Sequence, residues 1–502
     1  MQRCVMAIDQ GTTSTKVVVV GPDGAVRASA TSQFAQLFPQ PGWVEHDPEA
    51  IWTSVREATQ GAWAIAGSSS GSLGGIGIAN QRETVVMWDR ATGAPVHNAI
   101  VWQDRRTAAA CEALGRDGAG GWVQSRTGLR IDPYFSATKI AWILDHVDGL
   151  RARAGAGEIA FGTVDSWLLW KLTAGRVHAT DTTNASRTLL MDLHTAQWDE
   201  ELCQLFNVPP EVLPSIERSE NIFAECDTLT PGATVPVGAI LGDQQAALLG
   251  QGCTAPGETK NTYGTGSFIL QHTGARAHTD TRSLIATAAS TSTSQEQQYA
   301  LEGSIFATGA AIQWLRDGLG IIKDAAESGT LAAAMVDNGD VWFVPALTGL
   351  GAPQWDPHAR GTIVGLTRGT TRAHLARAAL ESIAYQTRDV IDAMNLQSGH
   401  QLTELRADGG GTANHWLMQF QADILGVPVA MAPSAEATAM GAAFAAGVSI
   451  GVWPHHDDLE PLQGNRLLFE PAMSEDQRDS LHHRWTLALE RSRNWAGDPL
   501  SN

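Results

Sequence analysis

Residues 5–20 constrain the fold more than any other stretch of the chain. An apolar run, Val5-Met6-Ala7-Ile8, enters Asp9-Gln10-Gly11-Thr12-Thr13-Ser14-Thr15-Lys16, and a second run, Val17-Val18-Val19-Val20, follows at once. Two short apolar runs around a hydroxyl-rich turn with one Gly predict a β-hairpin. Such a turn can aim backbone N–H groups and hydroxyls at one anion. An aspartate at the strand end adds the hard oxygen that a phosphate-bound cation requires. No Gly-Lys-Ser/Thr opens a helix here, which excludes the Walker type of phosphate loop at this place. The device recurs at Asn261-Thr262-Tyr263-Gly264-Thr265-Gly266-Ser267, ahead of Phe268-Ile269-Leu270. Two such hairpins, about 250 residues apart, predict two related halves closing on one nucleotide.

The length agrees, because 502 residues exceed what one compact core holds. Gly and Pro punctuate 250–257, so the division is expected at 252/253, giving domains 1–252 and 253–502. A net charge of −19 lacks the basic footprint of a nucleic-acid binder and opposes adsorption to anionic membranes. The longest apolar runs fall short of a membrane span, and the Met1 segment reaches Asp9 too soon for a signal peptide. Five cysteines without a Cys-x-x-Cys pair fit reduced thiols, and a cytoplasmic location is expected.

Between the hairpins, Pro22-Asp23-Gly24 marks a turn and Ala25 to Phe34 a third strand. Asp47-Pro48-Glu49 reads as a helix start, with Asp as cap and Pro at the first helical position. Ile51, Val55, Ala58, Ala62 and Ile65 then recur at helical spacing. A short buried strand, Gly75 to Ala79, ends in Asn80-Gln81-Arg82-Glu83. In the second half, Leu405-Arg406-Ala407 leads into Asp408-Gly409-Gly410-Gly411-Thr412 and then a helix carrying Trp416, Leu417, Phe420 and Ile424. Glu436 to Gly447 predicts a helix of small residues suited to close packing under a hinge or a nucleotide. The Ser/Thr run Ala288 to Ser294 reads as an exposed loop, and His455-His456 and His482-His483 as plain surface or helix residues. The order strand-strand-strand-helix-strand resembles the opening of the ribonuclease-H-like fold shared by actin and hexokinase. The expected class is therefore α/β, two such domains around a central cleft.

The segments Gly42-Trp43-Val44-Glu45-His46-Asp47-Pro48, Asn80-Gln81-Arg82-Glu83-Thr84, Asn98-Ala99-Ile100-Val101-Trp102-Gln103 and Pro133-Tyr134-Phe135-Ser136-Ala137-Thr138-Lys139 carry a resemblance that runs through the chain. Gly242-Asp243-Gln244-Gln245, the second hairpin, and Thr348-Gly349-Leu350-Gly351-Ala352-Pro353 continue it to about Trp453. In these motifs the chain resembles the glycerol kinases, a branch of the FGGY carbohydrate kinase family. The resemblance implies ATP and glycerol as substrates, ADP as product, Mg²⁺ as the metal, and a homo-oligomer, dimer or tetramer; the alternatives are a kinase of another polyol or ketose in the same family, or a non-catalytic ATP switch of the actin or chaperone kind.

By the same resemblance, Arg82, Glu83 and Tyr134 hold hydroxyls, Trp102 and Phe268 pack against the carbon face, and Gln244 positions the substrate. Asp243 accepts the proton of the attacking hydroxyl. Thr12, Thr13, Ser14 and Lys16 meet the terminal phosphates. Thr265, Gly309, Gln313, Gly410 and Asn414 hold the rest of the nucleotide, and Asp9 organises Mg²⁺. These residue types suit the task, since a small polyol needs fixed donors and acceptors beside an apolar wall. Some bacterial relatives bind fructose 1,6-bisphosphate on a Gly-rich loop ending in Arg, and others carry a phosphorylated His there. The corresponding stretch, 227–236, has one Gly and no Lys, Arg or His, so insensitivity to both controls is expected.

Overall fold

The computed structural model describes residues 3–67, 72–229, 234–281, 283–433, 436–456, 459 and 464–496. Its first sheet runs Val26–Gln33, Ser14–Val20, Arg3–Gln10, Ser72–Asn80, Val235–Gly242, Ala224–Cys226 across its width. The first two pairings are antiparallel, the next two are parallel, and the edge strand returns antiparallel. The second sheet repeats this order in Tyr299–Ile305, Ser267–Gly274, Thr259–Tyr263, Leu405–Asp408, Val429–Met431 and Leu467–Phe469, with one added strand, Ile285–Ala288, at the first edge. The pairing directions match strand for strand. Both halves are ribonuclease-H-like, as the resemblance in strand order led one to expect.

Period-two alternation decides what each face of the first sheet meets. Cys4, Met6, Ile8, Val17 and Val19 pack with Ile51, Val55, Ala58 and Ala62 of the helix Pro48–Ala66. Asp47 caps that helix, accepting from the Glu49 N–H at 2.9 Å. Ile65, expected on the apolar face, points outward at 65 % exposure, and Ala66 fills the core in its place. Val5, Ala7, Val18 and Val20 face the other way, onto Ala439, Ala442, Ala443 and Ala446 of the helix Ala437–Ser449. The same parity carries Asp9 and Lys16 to that second face, and Thr15 to the first, where its hydroxyl meets Ser54 at 2.7 Å.

The small-residue helix thus follows Val429–Met431 of the second sheet in the chain but covers the first sheet in space. Asp243–Gly250 makes the opposite crossing, leaving Val235–Gly242 for the second sheet. The two helices touch backbone to backbone. A Cβ on Gly250 would stand 1.9 Å from the Ala437 carbonyl oxygen, and one on Gly441 1.8 Å from that of Ala246. Close backbone packing of the two helices is the reason for this composition.

The structure bears on three further expectations. Ala288, Ala289 and Thr291 are buried, the Thr291 hydroxyl being satisfied internally, so only the tip of the Ser/Thr run is exposed. His482 and His483 are helix residues, as expected, but His482 and His456 each also meet a carboxylate, Asp389 and Glu220, at 2.7 Å. In the stretch 227–236, Thr230 to Ala233 lie outside the described residues, and Asp227 has a cation beside it, Arg176 at 3.4 Å. No helix among the described residues is long and apolar enough to cross a membrane.

Candidate active site

The strand Ser72–Asn80 ends beside the first hairpin, where the Gln81 N–H donates to the Gln10 carbonyl at 2.7 Å. The chain then turns sharply. Glu83 has φ 63° and the Thr84 N–H donates to the Arg82 carbonyl at 2.8 Å, a strained three-residue turn for a non-glycine. Strain of this kind persists only where the surroundings over-determine it. Here they do, because both side chains are buried, Arg82 at 3 % exposure and Glu83 at 1 %.

The Arg82 guanidinium forks onto Glu302 of the second sheet, Nη1 to Oε2 at 2.6 Å and Nη2 to Oε1 at 3.2 Å. Its Nη1 also reaches Gln245 Oε1 at 3.3 Å, Nη2 the Tyr134 hydroxyl at 3.4 Å, and Nε lies 3.3 Å from Asp243 Oδ1. Arg187, fully buried, donates from Nε to Glu83 Oε1 at 2.6 Å and from Nη2 to Glu302 Oε1 at 2.9 Å. Burial alone would push the Glu302 carboxyl up, but Arg187 and Arg82 outweigh it and hold its pKa down at about 2. With Lys260 added, three cations face three carboxylates, a balance without which buried charges of this kind would be prohibitive. Arg187 occupies only one Glu83 oxygen, leaving Oε2 as an acceptor for a hydroxyl.

Asp243 opens the helix Asp243–Gly250 directly after Gly242. A Cβ on Gly242 would press within 2.7 Å of Arg82 Cδ, so only Gly lets the arginine lie against this turn. Burial raises the Asp243 pKa above the ordinary carboxylate range, while Arg82 and Lys260 oppose that shift. A carboxylate made more basic in this way suits proton abstraction. Trp102 and Tyr134 meet edge to face with centroids 5.7 Å apart, and Phe268 of the second sheet stands 6.5 Å from Trp102. All seven residues expected around the polyol converge here: Arg82, Glu83, Trp102, Tyr134, Asp243, Gln244 and Phe268.

The phosphate-side residues gather around the two hairpin turns. Trp102 Nε1 donates to the Thr12 hydroxyl at 3.0 Å, joining the first turn to the apolar wall. Lys16 pairs with Glu436, the residue before the small-residue helix. Asp9 stands on the same face. Burial, then the charges of Asp243 and Glu436, push its pKa up to about 7 against the opposing pull of Lys16. In the second turn, Gly264 and Thr265 carbonyls accept from the Gly309 N–H at 3.0 Å and the Ala310 N–H at 2.9 Å. Thr265, Gly309 and Gln313 are thereby drawn together, Gln313 ending the helix that Gly309 opens. Thr262 pairs with Asp408, so Gly410 and Asn414 follow at the same end of the sheet. Asn414 Oδ1 also caps the helix His415–Leu425, accepting from the Leu417 N–H at 3.1 Å.

Sequence reasoning missed Glu302, Arg187, Gln245 and Lys260. The signal for Glu302 is present in retrospect, as the lone charge in a wholly buried strand, Tyr299–Ile305.

Two like-ordered sheets, each turning a hairpin toward a shared seam, define an α/β fold of the actin and hexokinase type. More narrowly, the chain belongs to the FGGY family of carbohydrate kinases, whose N-terminal domain matches residues 4–250 and whose C-terminal domain matches residues 259–450. It is 53 % identical over 492 residues to the glycerol kinase of Trichlorobacter lovleyi, covering 98 % of this chain and 99 % of that one. Glycerol kinase 2 of Thermotoga maritima is 50 % identical over 491 residues, covering 98 % and 99 %. Among solved structures, Plasmodium falciparum glycerol kinase with ADP superposes with a TM-score of 0.93 at 36 % identity, covering 98 % of each chain.

Proposed function

We propose that the protein transfers the terminal phosphoryl group of ATP to glycerol, forming sn-glycerol 3-phosphate and ADP. The observation that carries this reading is the convergence of Arg82, Glu83 and Tyr134 with Trp102 and Phe268 beside Asp243. The extent of the likeness to glycerol kinases supports it. Glycerol hydroxyls take Glu83 Oε2 as acceptor and Arg82 and Tyr134 as donors, while the carbon chain lies on the rings. Asp243 takes the proton of the attacking hydroxyl. The glycerol oxygen so freed bonds to the γ-phosphorus as the bond to the β–γ bridging oxygen breaks, and ADP leaves.

Thr12, Thr13 and Ser14 meet the terminal phosphates from the first turn. Thr265, Gly309, Gln313, Gly410 and Asn414 hold the remainder of the nucleotide from the second. Lys16 reaches a phosphate by releasing Glu436. Asp9 fits Mg²⁺, because its carboxylate suffers the repulsion of Asp243 and Glu436 that a divalent cation relieves. When bound, Mg²⁺ supplies neutralisation of the phosphate charge.

ADP release measured with glycerol, dihydroxyacetone, erythritol, xylulose and ribulose tests the assignment. Glycerol should give the highest kcat/KM of the panel. A ketose preferred over glycerol would move the protein to another branch of the family.

A further inference from the structure

Lys260 is fully buried, at 0 % exposure, and the mechanism above gives it no task. It lies on the first strand of the second hairpin. Alternation puts Lys260 and Thr262 on one face, with Leu270 and Phe268 opposite them in register. That face receives the crossing helix, since Leu270 packs with Leu248. Nζ donates to Gln244 Oε1, to Thr262 Oγ1 at 2.8 Å and to the Phe268 carbonyl at 3.3 Å. An ammonium has three N–H groups, and here each has an acceptor. Two of the three acceptors belong to residues of the glycerol wall, one from each half of the molecule.

An ammonium carries no lone pair, so an amide meeting it must present its oxygen. Gln244 is therefore fixed with Nε2 turned away from Lys260. We propose that Lys260 is a positioning residue for the substrate: it locks the Gln244 amide so that N–H donors face the polyol, and it ties the Phe268 backbone to the same point. Glu83 offers an acceptor and Gln244 a donor, so the site reads a pattern of hydroxyls rather than polarity alone. Asp408, Arg82, Asp243 and Glu302 are the charged groups around the lysine. Burial depresses its pKa to about 8, which leaves the ammonium charged at neutral pH.

This inference rests on the glycerol assignment, and a double-mutant cycle separates the two. Steady-state kinetics of wild type, Lys260→Met, Gln244→Ala and the double variant are compared, varying glycerol and ATP in turn. Lys260→Met should raise the glycerol KM about 10- to 100-fold, the range for losing a charge-assisted hydrogen bond. The ATP KM should stay within about twofold. Because Lys260 acts chiefly through Gln244, most of its effect should vanish in the Gln244→Ala background, leaving about a twofold share for the Phe268 contact. Multiplying effects, or glycerol and ATP KM values rising together, would overturn the proposal and leave the lysine as a structural strut.

If Lys260→Met does not fold, Gln244→Glu serves instead. It keeps an oxygen for Lys260 but turns an acceptor to the substrate, so glycerol kcat/KM should fall about 10- to 100-fold at an unchanged Tm. Near wild-type kcat/KM would overturn the locked amide. Should the wild type use another polyol and not glycerol, the substrate assignment falls, and the same cycle on that polyol decides the lysine.

Discussion

On the polyol side of the seam, Arg82, Glu83, Arg187 and Glu302 are exposed by 3 % or less and hydrogen-bonded to one another. On the phosphate side, Thr13, Thr265, Gln313 and Gly410 stand exposed. The two walls solve different problems. A neutral polyol offers only weak, directional hydrogen bonds, so selectivity requires partners whose geometry is set in advance and whose burial penalises the wrong ligand. Phosphates bring their own charge, and exposed hydroxyls and N–H groups can stay solvated until the halves close on them. The fork of Arg82 onto Glu302 crosses from one half to the other, so the polyol wall is also where the halves are bolted together.

The comparison is broken most forcefully at the residue between the walls. Asp243→Asn should lower kcat by about 10²- to 10⁴-fold, the range for losing a general base, while Tm and ATP binding hold. Near wild-type turnover in a folded variant would remove Asp243 from the chemistry and with it the point the walls share.

Glu302→Gln tests whether the polyol wall is structural as well as selective. It leaves Arg82 and Arg187 buried with a neutral partner, and removing one member of a buried ionic set costs about 3–5 kcal/mol. A large loss of denaturant stability together with a raised glycerol KM is expected. A stable variant with ordinary glycerol kinetics would mean that the fork neither holds the halves nor aims Arg82.

Thr13→Ala is the counterpart on the phosphate side. Stability should move by no more than about 0.5 kcal/mol, as for exposed sites in general, and only the ATP KM should rise, by roughly 5- to 10-fold for one hydrogen bond. Loss of stability comparable to that of Glu302→Gln would erase the distinction between the walls.

How much was legible beforehand follows the same division. The phosphate side is local: hydroxyls and glycines sit in two short turns between apolar runs, and both hairpins and their flanking strands form where the runs predict them. The residues that touch the polyol were legible as motifs. What holds them was not, because Glu302 lies 220 positions from Arg82 and 115 from Arg187, and no local pattern encodes such a pairing. The small-residue helix was legible as a tightly packed element. Which sheet it covers was not, since Ala442 meeting Gly77 is a fact of the crossing and not of the helix. The Ser/Thr run was misread because polarity was taken for exposure, whereas Thr291 satisfies its hydroxyl inside.

His46 supplies the smallest and sharpest test, because it breaks the rule that the polyol wall obeys. Its ring is 0 % exposed and T-stacked on Phe34 at 5.0 Å, and among the described residues neither nitrogen has a hydrogen-bond partner. Where Arg82 and Glu302 are buried as a balanced set, His46 is buried alone and must stay neutral. Burial depresses its pKa from 6.5 to about 4. Above pH 6.5 both folded and unfolded rings are neutral, and nothing is lost. As the pH falls from 6.5 toward 4, the unfolded ring takes a proton that the folded one refuses, so this residue drains stability by at most about 1.4 kcal/mol per pH unit. Below pH 4 both rings are charged and the loss stops growing. Other buried groups titrate in the same window, Asp9 and Asp165 near 7 and His178 and His272 near 4, so the absolute curve is a sum. The difference between wild type and His46→Leu isolates the one ring: the variant's advantage in denaturant midpoint should grow on acidification from pH 6.5 to 4 and level off below. Parallel curves through that window would show that His46 finds a partner for its charge, and that burial without pairing is absent from this part of the fold.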